Sequence, residues 1–266
     1  MSQLLYDRID GIIENIDKHK VEPLFSAEKA RRQAQSVAPF VDNDMVLKTL
    51  AVIVAYSQQA KSNLVRPLLE SGVFDQVFHN YDVSRLREVN PCELLDENWS
   101  RIKAIRIKTK VFQLIMAARA LDSIGPFAKA LNNAGFPAQM QSAKDVADFW
   151  VAFGKLQKLM KEHDIPFLSS TTSLLHLLMH IGYDCVKPDV IVMRVALKLG
   201  IVDEVTKDAN LRRAARTLQE YAVSRGLRPG VVDLYFLIQE RQSDAQQYVV
   251  PGFQPFYPPP VSLAAA

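Results

Sequence analysis

Cysteine is scarce in this 266-residue chain, with only Cys92 and Cys185 present. Two thiols exclude a four-cysteine iron–sulfur cluster and a four-cysteine zinc site built within the chain. Far apart in sequence, they read as reduced core thiols of an intracellular protein. Glycine is scarce too, at 10 residues, while Leu, Ala, Lys, Arg, Gln and Glu are frequent, which favours helix. No run approaches about 18 uninterrupted apolar residues, so no membrane span is expected. Residues 1–20 carry acids throughout and no apolar core, unlike a secretory leader. A surplus of one charge is also lacking. Lys and Arg number 32 against 29 Asp and Glu, a net +3. That balance permits nucleic-acid binding without arguing for it, so any basic surface must come from how the charges are distributed. The expectation is a soluble, cytoplasmic protein.

What is present is apolar periodicity. Hydrophobic residues make up 48% of the chain, enough for a substantial core. Leu4, Leu5, Ile9, Ile12, Ile13 and Ile16 form a stripe at spacings of three and four, the period of a helix. Ser26 opens a basic helix through about Val37, and residues 42–60 read as a buried central helix behind an Asp or Asn cap. Short helices follow at 73–80 and 82–97. Residues 101–121 are basic in front and apolar behind, and 123–163 give two helices split at Gly135 and Pro137. Further helices are expected at 208–224 and 229–241. The class is all-α, a bundle of about ten to twelve helices by periodicity. Residues 1–39 are expected to pack as N-terminal helices on a core domain of residues 40–242. Residues 243–266, rich in proline and aromatics, read as an extended tail.

The segment from Ile165 to Val195 carries the chemistry. Pro166 breaks a helix, Phe167, Leu168 and Ser169 make a tight connection, and Ser170 and Thr171 supply capping hydroxyls for a helix to about Ile181. Gly182 ends that helix where a left-handed residue is wanted. Lys187 and Pro188 then lead to Asp189 at the mouth of the next helix. At such a position an aspartate caps the helix and meets its dipole in any protein. It also stands where one charge could serve a reaction.

This layout resembles the helix–hairpin–helix DNA glycosylase superfamily. The hairpin, the helix from Thr172 to Gly182, the seven-residue step to Asp189 and the five-residue step to Arg194 match that family's order and spacing. Ala55 to Ala60, with Gln58 and Gln59, resembles the segment ending the family's early central helix. Ile102 to Lys110 resembles a later one, so the resemblance covers roughly residues 40–200. Near its termini the chain lacks the zinc ligands of the 3-methyladenine DNA glycosylase I branch. Tyr56 and Leu64 fall where that branch has a glutamate and a tryptophan.

The resemblance implies a monofunctional glycosylase that releases a damaged, alkylated base from duplex DNA, acting as a monomer without metal or cofactor. Asp189 would stabilise the oxocarbenium-like sugar and orient water. A base reached this way must leave the stack. Gln59 would fill the gap, and Tyr56 and Trp150 would line the pocket. Ser169, Ser170, Thr171, Thr172, Lys108, Lys110 and Arg194 would contact DNA. Two departures bear on this. Phe167 and Ser169 occupy the hairpin positions that family members give to glycine. Thr171 stands where members that also cut the backbone place a lysine, so no lyase activity is expected. The alternatives are a non-catalytic DNA-binding protein of the same fold and a helical protein-interaction scaffold.

Other features have plainer meanings. His176 and His180 share a helix face at metal-pair spacing, but the surrounding helix is apolar, and the default is a packed pair with no metal. Lys103 and Arg106 join Lys108 and Lys110 in a basic run, and Arg212, Arg213 and Arg216 form a second; a solvated face is the usual meaning of such runs. Trp99, Trp150 and Phe153 are most simply core.

Overall fold

The computed structural model describes residues 3–19, 23–38, 41–58, 60–240 and 254–255. Among these there are fourteen α-helices, two short 3-10 turns and no strand: the all-α class is as the periodicity and the glycine-poor composition led one to expect, while the helices outnumber the ten to twelve expected. The chain divides into two compact units. One comprises Met1–Val37, Pro137–Asp148 and Gly182–Ala266, and the other Ala38–Phe136 and Phe149–Ile181. The proline-rich segment from residue 243 lies outside the described residues except for 254 and 255.

In the first unit the N-terminal helices α1 (Gln3–Lys18) and α2 (Pro23–Ala34) pack with α12 (Val190–Lys198) and α13 (Asp208–Ser224) around α14 (Pro229–Gln239). The α1 stripe delivers Ile9, Ile12 and Ile16 to the core with no exposure, while Leu4 stays about half exposed at 49%. Helix α14 is buried on almost every side, including the carboxylate of Asp233. Polar ties fix its neighbours. Arg8 donates to the carbonyls of Leu199 and Lys198 and so satisfies the end of α12. Arg225 and Tyr221 both donate to Asp10. Gly182 closes against this unit's own backbone. Its φ is +103°, and a Cβ there would lie 2.0 Å from the Ser36 carbonyl oxygen, so only glycine fits.

In the second unit α3 (Asn43–Tyr56) is the central helix, packed by α8 (Thr109–Ser123) and α11 (Thr171–His180) and touched by α4 (Ser62–Glu70). Asp42 caps it through the Met45 N–H. Asn43 donates to the Leu121 and Gly125 carbonyls and accepts from the Phe127 N–H, joining α3 to the end of α8 and to α9 (Phe127–Ala134). Helices α5 (Val73–Val77), α6 (Val83–Leu86) and α7 (Pro91–Ile102) complete the unit. Helix α10 (Ala143–Glu162) begins in the first unit and continues in the second.

Several boundaries differ from expectation. Helix α2 opens at Pro23 rather than Ser26, a residue suited to the first helical turn. The expected helix at 82–97 is two helices, because Asn90 caps the Cys92 N–H and Pro91 starts α7 afresh. The basic front of 101–121 is not part of α8. It holds the end of α7, a 3-10 turn at Lys103–Ile105 and a left-handed Arg106 at φ +68°.

Candidate functional site

Within the second unit, the part of α10 from residue 149 onward, a tight loop and α11 form a helix–loop–helix. Phe167, at one of the positions the resembled family gives to glycine, has φ +66°. A non-glycine residue held there costs about 1–2 kcal/mol, so the loop imposes the conformation on an unfavourable side chain. The Leu168 N–H donates to Pro166 and the Ser170 N–H to Phe167, making two consecutive tight turns. Ser170 then caps α11 through the Ser173 N–H, while its hydroxyl donates to the Phe167 carbonyl.

The four hydroxyl residues expected to meet DNA do not share one environment. Ser170 is exposed, and Ser169 and Thr172 are half-buried. Thr171 is a correction. It is only 1% exposed, and its hydroxyl accepts from the amide of Gln157, which also donates to the Ser169 carbonyl. The Gln157 amide thus pulls Thr171 inward to hold the loop from behind.

The end of α3 gives a second correction. Lys110 was expected on phosphate but has no exposed surface. Its ammonium donates to the carbonyls of Ser57 at 2.7 Å, Ile105 at 2.9 Å and Ala55 at 3.4 Å. Helix-end carbonyls lack internal partners and carry the negative end of the dipole, so a cation is favoured there. Burial nonetheless lowers the Lys110 pKa to about 8 from 10.5. Tyr56, the last residue of α3, is 36% exposed. Gln58 beyond it is exposed and left-handed, at φ +49°. Gln59 lies outside the described residues.

Around this point the second unit presents cations. Lys61 and Arg66 on and before α4, and Lys103, Arg106 and Lys108 ahead of α8, are all exposed. Helix α4 contacts the 3-10 turn that carries Lys103, so these residues belong to one region. Lys61, Arg66, Lys103 and Lys108 make no salt bridge among the described residues, and the Lys108 ammonium lies 5.6 Å from the Trp99 ring centre. Such a region suits phosphate. Trp150 is half-buried and packs edge-on between Phe149 and Phe153.

The carboxylate of Asp189 belongs to the first unit. One oxygen accepts from the Ile191 and Val192 N–H groups at 2.9 and 3.1 Å, which makes Asp189 the cap of α12. The other pairs with the Lys187 ammonium at 2.9 Å, and the side chain keeps 24% exposure. Behind the pair lies a buried charge cluster. Asp233, with no exposed surface, accepts from Arg32 at 3.0 Å and from the Lys187 backbone N–H at 3.3 Å. Arg32 also binds Glu28. Burial pushes the Lys187 pKa down, but Asp189 and Asp233 outweigh it and the net shift is upward. Burial raises the Asp233 pKa, and Arg32 and Lys187 only partly oppose it. Asp184 accepts from Arg228 and from the Gly230 N–H, and Arg228 also donates to the Gln33 and Gln35 carbonyls. The segment leading to Asp189 is therefore tied down on both sides.

Arg194, on α12, is exposed, so it does not hold a core carboxylate. His176 and His180 meet each other, ring nitrogen to ring nitrogen, at 3.1 Å. No group of three or more His, Cys, Asp or Glu suited to a metal occurs among the described residues. Cys185 is buried, and burial raises its thiol pKa well above the usual value; Cys92 is exposed rather than in the core, because it falls on the outer face of α7.

Comparison with protein-family models, curated proteins and solved structures yields no match to this chain. The residues around the candidate positions therefore carry the argument alone. Those missed from sequence are Gln157, Lys187, Asp233 and Arg32. Lys187, two residues from Asp189, was within reach of a local reading. Asp233 and Arg32 lie 44 and 157 residues from Asp189 in sequence (233 − 189 and 189 − 32), and no spacing rule connects them.

Proposed function

We propose that the protein is a monofunctional DNA glycosylase acting in the cytoplasm on an alkylated base of duplex DNA. The observation that supports this best is the run of local features: a tight loop with a left-handed residue at the expected hairpin position, a capped helix, an obligate glycine, then a carboxylate at a helix start. In this reading Asp189 stabilises the cationic sugar and orients water. The water oxygen bonds to C1′, its proton passes to solvent or carboxylate, and the C1′–N bond breaks with its electron pair leaving on the base. An N-alkylated purine departs neutral, so one carboxylate suffices. With Thr171 buried after the loop, no amine is available there for a Schiff base, and an intact abasic site is the product.

The Lys187–Asp189 pair favours a second reading. A carboxylate already facing an ammonium exerts less field on a developing cation, as in a damaged-DNA binder without turnover. Single-turnover base release across alkylated, oxidised and deaminated duplexes separates the two. The glycosylase reading expects release from an alkylated duplex, with Asp189→Asn losing about 100-fold or more and binding DNA as before. Salt-sensitive lesion binding without release of any base supports the binder, and no DNA binding at all removes both.

A further inference from the structure

Seven described non-glycine residues, all in the second unit, have positive φ, and two of the exposed ones, Gln58 and Arg106 at φ +49° and +68°, share a buried partner. They are 48 residues apart in sequence (106 − 58). Each directly follows a carbonyl held by the same buried ammonium. The Ser57 carbonyl, which precedes Gln58, and the Ile105 carbonyl, which precedes Arg106, accept from Lys110 at 2.7 and 2.9 Å. The third acceptor, Ala55, lies just before Tyr56. One side chain thus fixes three peptide planes, each beside an exposed residue. Strained backbone persists only where its surroundings over-determine it, and such residues cluster at functional sites. A buried cation with no carboxylate partner among the described residues is itself unfavourable, so packing alone does not explain its presence.

We propose that Lys110 is a positioning residue that presents Gln58 and Arg106 to nucleic acid, Gln58 towards the gap left by a displaced base and Arg106 towards a backbone phosphate. The assignment rests on the DNA-glycosylase reading above. It extends that reading to two turns joined by Lys110, and it moves the gap-filling role from Gln59, where the resemblance put it, to Gln58. Arg106 belongs to the exposed basic region with Lys103 and Lys108, so phosphate is the chemistry it meets. Gln58 carries an uncharged amide able to bond the orphaned partner base.

The test compares wild type with Lys110→Met by single-turnover base release, lesion-duplex affinity and amide hydrogen exchange. The proposal expects the chemical step to fall about tenfold or more, with affinity within about threefold, because a small misplacement weakens chemistry more than phosphate contact. Faster exchange is expected at residues 57–60 and 105–108 and unchanged exchange in the middle of α3 and α8. Wild type should also lose base release as pH rises through about 8, where the ammonium deprotonates, and Lys110→Met should lack that limb. Needing no variant, the wild-type limb keeps the idea testable if Lys110→Met does not fold. Full activity in Lys110→Met, no wild-type limb near that pH, or exchange raised throughout both helices overturns the proposal. If wild type releases no base from any lesion, it is the glycosylase reading that fails. Exchange then decides the clamp by itself: acceleration confined to the two turns supports it, and no acceleration overturns it.

Discussion

Two lysines, one in each unit, are drawn into the protein and meet opposite fates. Lys187 of the first unit faces the carboxylates Asp189 and Asp233, and its pKa rises despite burial. Among the described residues, Lys110 of the second donates to carbonyl oxygens and to no carboxylate, and its pKa falls to about 8. The contrast separates two uses of a cation drawn out of water, half-buried at Lys187 and fully buried at Lys110. Full opposite charge compensates desolvation, whereas partial charges at a helix end do so incompletely. Lys187 belongs to a cluster that stabilises the start of α12. Lys110 holds turns in place at a standing cost.

The sharpest way to break this contrast is to remove each lysine. Lys187→Met leaves buried Asp233 and the half-buried Asp189 short of a cation, and a loss of about 3 kcal/mol is expected from urea unfolding. Much of that loss should vanish when Asp189→Asn accompanies it, since the pair is then removed together. Lys110→Met should cost less, about 1–2 kcal/mol, because lost bonds to carbonyls are offset by relief of desolvation. If Lys110→Met proves the more damaging, the assignment of roles is reversed.

Solution pH sharpens the comparison further. Between about 8 and the ordinary lysine value of 10.5, Lys110 has lost its proton in the folded protein and keeps it in the unfolded chain. Its contribution to stability therefore rises with pH across that window. Lys187 runs the other way: its raised pKa contributes stability fully below the ordinary value and loses it as pH climbs through the folded one. Wild type should accordingly gain stability from pH 8 to pH 10 relative to Lys110→Met, read from denaturation midpoints. Equal slopes would show that Lys110 keeps its proton.

The smallest effect concerns the thiols. Exposed Cys92 should react with a thiol reagent at once, and Cys185, buried and with a raised pKa, only as fast as the first unit opens. Two equally fast thiols would mean that the first unit opens readily around Cys185.

Much of the helical order was legible because apolar spacing is a local property. The stripe from Ile9 to Ile16, the Asp42 and Ser170 caps and the Gly182 stop are written in short stretches and follow from capping and period. Local signals failed where two rules competed. Residues 82–97 look periodic throughout, yet the Asn90 cap and Pro91 outweighed the pattern. The basic front of 101–121 looked like a helix face, although carbonyls brought in from α3 gave Lys110 a better partner than water.

Sequence alone determined that this chain is helical and where most helices begin, since period, caps and turn residues act within a few positions of each other. It also placed Asp189 at the start of α12. Only the tertiary structure decided which charged groups went inside. Whether a lysine meets phosphate, a carboxylate or a helix end depends also on groups far off in the chain, 46 residues for Lys187 and Asp233 and 55 for Lys110 and Ala55, and no local pattern records those. Burial makes those distant partners decisive, because a charge out of water must find its compensation wherever the fold supplies it.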